Sequence, residues 1–181
     1  MIPQNTHIRA YRSSDAAGIL AIYGPFVLSG AVTFETELPT LESFTERLNG
    51  IASRFPFLVA ESEGLIAGYA YAASHRERIA YQWAVETSVY VNQPGLGSAL
   101  YEPLLAQLQA RGFVWAYAVI SLPNQASVNF HAKMGYEPFV TYPDAGQKQG
   151  RWIDVAWMRR RLNPSLDGAA APRFEAAQDL A

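Results

Sequence analysis

The sequence predicts a mixed α/β domain, and three observations carry that reading. Residues 85–91, Val-Glu-Thr-Ser-Val-Tyr-Val, alternate as a strand does. Gly95-Leu96-Gly97-Ser98 then form a glycine turn that opens a helix. A further strand at 113–120 leads to a helix that opens at Asn124 and closes at Lys133-Met134-Gly135-Tyr136. Strands interleaved with helices make one compact α/β unit. With 181 residues, half of them apolar, the chain is the size of a single domain and long enough to bury a core.

Taken in order, residues 8–11 form a first strand, and Ser14 or Asp15 caps a helix whose apolar positions Ile19, Leu20, Ile22 and Tyr23 lie on one side. Thr40 caps a second helix, with Leu41, Phe44, Leu48 and Ile51 at helical spacing. Residues 57–61 and 65–71 are β-favouring runs joined by Ser62-Glu63-Gly64, a hairpin. After a polar excursion at 72–82 comes the central strand, 83–91. There Val85, Thr87, Val89 and Val91 share one face, and Glu86, Ser88 and Tyr90 the other. Leu100, Leu104 and Leu108 give the next helix its buried stripe, with a kink expected at Pro103. The helix at 124–134 ends at Gly135 in the left-handed conformation glycine tolerates best. Two strands, near 139–142 and 152–158, complete the sheet. No internal repeat or second domain is visible. Residues 1–162 read as one domain, and the Ala-, Pro- and polar-rich residues 163–181 as a mobile or loosely packed tail.

Composition excludes several classes of function. The absence of cysteine removes disulfides, thiolate zinc sites and a cysteine nucleophile. His7, His75 and His131 are too scattered to suggest a metal site. A net charge of −2 without a block of like charges argues against a nucleic-acid partner. The one basic run, Arg159-Arg160-Arg161, reads as the solvated end of the last strand. No segment has the apolar length of a membrane span and no basic start precedes an apolar run, so a soluble cytoplasmic protein is expected.

The glycine turn carries chemistry of its own. Free backbone N–H groups at a helix start bind phosphate, and here they stand beside a strand able to present catalytic side chains. That combination points to acyl transfer from a phosphate-bearing cofactor. The segment resembles the GNAT superfamily of acetyl-CoA-dependent N-acetyltransferases. Ile8-Arg9, Ser14-Asp15-Ala16, Thr33-Phe34-Glu35-Thr36-Glu37, Arg78-Ile79-Ala80-Tyr81, 85–91 and Phe130-His131-Ala132-Lys133-Met134-Gly135-Tyr136 resemble its phosphinothricin and methionine sulfoximine acetyltransferase branch, over about 8–157. The resemblance implies a mostly antiparallel seven-stranded sheet with splayed fourth and fifth strands, flanked by about four helices.

The same resemblance implies a set of roles. Gly95, Leu96, Gly97 and Ser98 hold the cofactor pyrophosphate, Asn124 and Ser127 contact the cofactor, and Val89 and Val91 flank it, with a backbone N–H at Val91 or its neighbour polarising the thioester carbonyl. Only Asn92-Gln93-Pro94 separate Val91 from Gly95, so this loop is about four residues shorter than in the family and lacks its basic member. Glu86 matches the candidate base, with an arginine-paired surface glutamate as the alternative. His131 takes the place of a tyrosine that protonates the leaving thiolate; acid, orienting group and packing residue all stay open, and Asn124 is also a helix cap. Phe34, Glu35, Arg78 and Tyr81 are the substrate candidates, since a guanidinium fork suits a carboxylate or phosphinate and aromatics wall a small side chain. The expected reaction is acetyl transfer from acetyl-CoA, without a metal, to the α-amine of a small amino-acid analogue by direct attack in a ternary complex. A protein or peptide amine acetyltransferase and a non-catalytic acyl-CoA-binding module are the alternatives. A homodimer is expected, with Tyr142, Trp152 and Trp157 as candidate interface residues.

Overall fold

The computed structural model describes residues 5–177. The remaining ends, 1–4 and 178–181, the latter closing the expected tail, lie outside the described residues. A seven-stranded sheet in the order β1-β2-β3-β4-β5-β7-β6 is built from β1 (Thr6–Ala10), β2 (Phe57–Ser62), β3 (Leu65–Ser74), β4 (Ala84–Val91), β5 (Trp115–Ser121), β6 (Glu137–Lys148) and β7 (Arg151–Arg161). Every pairing is antiparallel except β4 with β5, which is parallel. Four α-helices flank it: α1 (Ala16–Leu28), α2 (Leu41–Ala52), α3 (Leu96–Ala110) and α4 (Gln125–Lys133).

The helix starts follow their caps. Thr40 Oγ1 accepts from Ser43 N at 3.2 Å and Asn124 Oδ1 from Ser127 N at 3.1 Å. Asp15 accepts from Arg12 N at 2.8 Å and takes a bidentate pair from Arg9, each bond 2.8 Å. That pair ties the first strand to the entry of α1. Burial alone would push the Asp15 carboxyl up, but the hydrogen bonds from Arg9 and Arg12 outweigh it and hold the group below its usual range. Gly135 ends α4 at φ +82°, and Tyr136 N closes the turn on His131 O at 2.9 Å.

Helices α3 and α4 cover one sheet face and α1 and α2 the other. On the first, Leu96, Leu100, Tyr101, Leu104 and Leu108 of α3 pack on Ala60, Ala70, Ala72, Ala116 and Ala118, small residues that let the helix sit close. Gly68 lies under the same helix, where an added Cβ would stand 2.8 Å from Val91 Cγ1 and 3.3 Å from Leu100. On the second face Ile19, Val27, Phe44, Leu48, Phe57, Val59 and Tyr69 form a separate core. The α3 helix is continuous through Pro103.

Three segments differ from expectation. The polar excursion begins after Ser74 rather than at 72, because Tyr71 to Ser74 stay paired with Ser88 to Val85. The last two strands are longer than 139–142 and 152–158. Pro143-Asp144-Ala145-Gly146 has the composition of a turn, yet it is absorbed as a bulge in β6, with Asp144 at φ +48° and its N–H bonded to Asp154 Oδ1 at 2.9 Å. Beyond Leu162 the chain turns back over the domain: Phe174 packs edge-on against Phe55 and Phe113, and Arg111 donates to Glu175 O and Ala176 O. Among the described residues, no helix is long and apolar enough to cross a membrane.

Candidate active site

Strands β4 and β5 pair over only three positions, Ala84 with Trp115, Val85 with Ala116 and Glu86 with Tyr117. Beyond these each strand follows its other neighbour, β4 staying with β3 as far as Val91 and β5 with β7 as far as Ser121. The two therefore part, leaving main-chain groups of both facing a gap. Thr87 finishes the fork, its hydroxyl 3.0 Å from Tyr117 O. A narrow slot of about 60 Å³ lies in the gap, bounded by Thr87 to Tyr90, Ala118 to Ser121, Asn124, Ser127 and His131, with Val32 over it.

On the α3 side of the fork, His131 is fixed at both ring nitrogens. Nδ1 lies 2.8 Å from Ser127 O, which can only accept, so Nδ1 carries a proton; Nε2 lies 3.0 Å from the Tyr101 hydroxyl. That hydroxyl is 2.9 Å from Thr87 Oγ1, which is 2.7 Å from the Tyr136 hydroxyl. With a neutral ring, four hydrogens (those of Thr87, Tyr101, Tyr136 and Nδ1) serve five contacts, and Tyr101 bonds either Nε2 or Thr87. A proton on Nε2 completes all five. Burial pushes His131 below its ordinary pKa, an effect partly opposed by the Ser127 carbonyl. Burial likewise raises Tyr101, and Tyr136 to about 12. Both ring nitrogens are thus engaged, and Ser127 Oγ lies 3.3 Å from Nδ1.

Glu86, one residue before Thr87, faces the opposite side of the sheet. Its Oε1 is 3.0 Å from His75 Nδ1 and 3.4 Å from an Arg76 nitrogen. His75 stacks on Tyr117 at 4.6 Å and meets Trp157 edge-on. Next to this imidazole opens a cavity of about 520 Å³, walled by His75, Tyr81, Trp83, Trp115, Tyr117 and the tail residues Ser165 to Ala169. Both the expected carboxylate and an arginine partner are therefore present. His75, Tyr101, Thr87, Tyr117 and Tyr136 were not singled out for this site from the sequence. Their partners lie far along the chain, as with Tyr101 and His131, so no local spacing marks them.

The structure places the substrate candidates in three locations. Phe34 rests on Gly146 of β6, where a Cβ would come within 2.5 Å of its ring, and Glu35 pairs with Arg47. That loop is pinned by Lys148 Nζ donating to Thr33 O at 2.8 Å. Tyr81 borders the 520 Å³ cavity, whereas Arg78 lines a separate hollow with Arg54 and Phe174. Among the cofactor candidates, Val89, Asn124 and Ser127 line the slot, while Val91 borders a hollow against α1. Gly95 caps α3 at φ +90°, a conformation suited to glycine, and Gly97 abuts Phe130, 3.1 Å from where a Cβ would be. Arg159, Arg160 and Arg161 are engaged within the chain, with Glu137, Met134 O and Ser165 respectively.

Known proteins resemble this chain in sequence and fold. Residues 8–157 match the family described as Acetyltransferase (GNAT) domain. The chain is 41% identical over 157 residues to a phosphinothricin N-acetyltransferase of Streptomyces viridochromogenes, covering 84% of this chain and 86% of that protein. It is 33% identical over 164 residues to an L-methionine sulfoximine/L-methionine sulfone acetyltransferase of Pseudomonas aeruginosa, covering 87% and 95%. A phosphinothricin acetyltransferase of Sinorhizobium meliloti, solved in complex with AcCoA, superposes with a TM-score of 0.84 at 32% identity, covering 91% of this chain and 95% of that one. With its forked sheet and this likeness over most of its length, the chain belongs to the GNAT acetyltransferases.

Proposed function

We propose that the protein transfers an acetyl group from acetyl-CoA to the α-amine of a small amino-acid analogue of the phosphinothricin, methionine sulfoximine or methionine sulfone type, by direct attack in a ternary complex. The observation that carries this is the fork itself: pairing stops at Glu86 and Tyr117, so a carboxylate stands at the crotch of a gap lined by unpaired strand edges. The kinship with a phosphinothricin N-acetyltransferase and an L-methionine sulfoximine/L-methionine sulfone acetyltransferase supports the amine class.

The residues fit a thioester arm. Strand edges offer N–H groups to its carbonyl, and Val89, Asn124 and Ser127 flank it beside Val32. Glu86 takes up the ammonium proton, directly or through water, with His75 holding the carboxylate in place. His131 orients Ser127 and Tyr101 and keeps a proton position behind the slot. The amine's side chain enters the aromatic cavity beside His75, with Tyr81 in its wall. The reaction uses no metal and takes place in the cytoplasm. Two copies associate through Phe139, Tyr142 and Trp152, which are exposed on β6 and β7. Acetyl-CoA turnover with a panel of these three amines, amino acids and peptides tests the reading. Turnover on peptides with none on the amino-acid analogues overturns the substrate class, and absence of any turnover overturns the activity.

A further inference from the structure

Resting on the acetyl-transfer reading, we infer that the acyl donor is recognised through its pantetheine arm and not its nucleotide, so that pantetheine thioesters lacking the nucleotide serve as donors. A pyrophosphate is held by backbone N–H groups and by cations. The turn that would hold it is short and carries no cation. Between β4 and α3 it consists of Asn92, Gln93, Pro94 and Gly95 alone. The Asn92 N–H is spent on Ala67 O at 3.1 Å, and Pro94 has none. That leaves Gln93 and Gly95 in the turn, joined by the N–H groups of the first turn of α3, with no cation beside them.

No lysine, arginine or histidine occurs from residue 79 to residue 110, the stretch carrying β4, the turn and α3. The hollow on the other flank of the turn, bounded by Gly18, Ala21, Pro25, Phe26, Ile66 and Asn92 among others, is lined by uncharged residues. At Gly97 an added Cβ would stand 3.1 Å from the Phe130 ring, so packing gives this glycine a reason apart from a phosphate. The slot between the strands, by contrast, keeps its polar edges and the side chains of Asn124 and Ser127. Recognition therefore concentrates on the amide-bearing arm, and the charged end meets a turn without a cation of its own.

The test compares acetyl-CoA with S-acetylpantetheine as donors to methionine sulfone, and CoA with pantetheine in titration calorimetry. The expected results are kcat/KM values within about 30-fold of each other, similar dissociation constants, and an acetyl-CoA KM that changes little between low and high salt. Gln93→Arg, which adds a cation to the turn, should lower KM for acetyl-CoA at least fivefold and leave that for S-acetylpantetheine unchanged. A preference for acetyl-CoA beyond 30-fold, or CoA binding that weakens steeply with salt, overturns the inference while leaving acetyl transfer intact. Failure of both thiols to bind and of both donors to react overturns the two readings together.

Discussion

Glu86 and Thr87 are neighbours whose side chains leave β4 on opposite faces, so each serves a different half of the site. Glu86 reaches His75 and Arg76, whereas Thr87 joins the Tyr101, Tyr136 and His131 network. Glu86→Gln removes a proton acceptor and keeps the shape. Its kcat/KM should fall by about 10²–10⁴, most at low pH where the substrate is an ammonium ion, and a pH profile parallel to the native one would remove Glu86 from the role. His131 gives a stability test. Its pKa in the folded chain lies below the usual 6.5, so between those two values the unfolded chain binds more protons. Stability should rise with pH through that window and flatten above it, as urea unfolding from pH 5 to 8 would show; a flat native profile counts against the buried neutral ring. Tyr101→Phe removes the only group that accepts an Nε2 proton in the network. It should cost about 1–3 kcal/mol and extend the slope to lower pH, an effect a purely packing tyrosine would not have.

Among the elements, the caps were legible from the sequence because they are local: Thr40, Asn124 and Gly135 act within three or four residues of themselves. The fork was legible only through the family resemblance and not from local pattern, because its cause is the competition of β3 and β7 for the outer edges of β4 and β5, a matter of long-range pairing. The extent of β6 was hidden for another reason, since Pro143 and Asp144 look like a turn and only the partner strand shows them to be a bulge. The Gly95-Leu96-Gly97 turn reads in the sequence as a phosphate cradle, and in the fold its two glycines also meet separate local demands. Gly95 takes a positive φ, and Gly97 makes room for Phe130 between α3 and α4. Gly97→Ala should therefore cost about 1–3 kcal/mol through overpacking, and Phe130→Leu in the same chain should recover most of it. Differential scanning calorimetry of the single and double variants decides; if the second substitution recovers nothing, the glycine is not there for the ring.

At the scale of the molecule, the two edges of the sheet and the tail decide what the site can meet. Strand β6 is one edge, and Pro138 and Pro143 interrupt its line of donors, which leaves side chains rather than a continued ladder to make an interface there. Sedimentation at micromolar concentration should find a dimer, and Trp152→Asp a monomer of unchanged fold; an unchanged dimer would place the interface elsewhere. The tail lies beyond the matched residues 8–157, and it does two things at once. Phe174 covers Phe55 and Phe113, with the Arg54 guanidinium 5.2 Å from its ring, while Ser165 to Ala169 complete the cavity beside His75. These roles separate by mutation. Phe174→Ala should lower stability by about 1–2 kcal/mol, since the ring is only half-buried. Leu166→Trp leaves Phe174 in place and adds bulk at the cavity wall, so it should raise KM for the amine several-fold with stability and KM for acetyl-CoA unchanged. An amine KM indifferent to both residue 166 and removal of the tail would make the segment a cover for the core alone and return substrate selection to Tyr81 and the strands behind it.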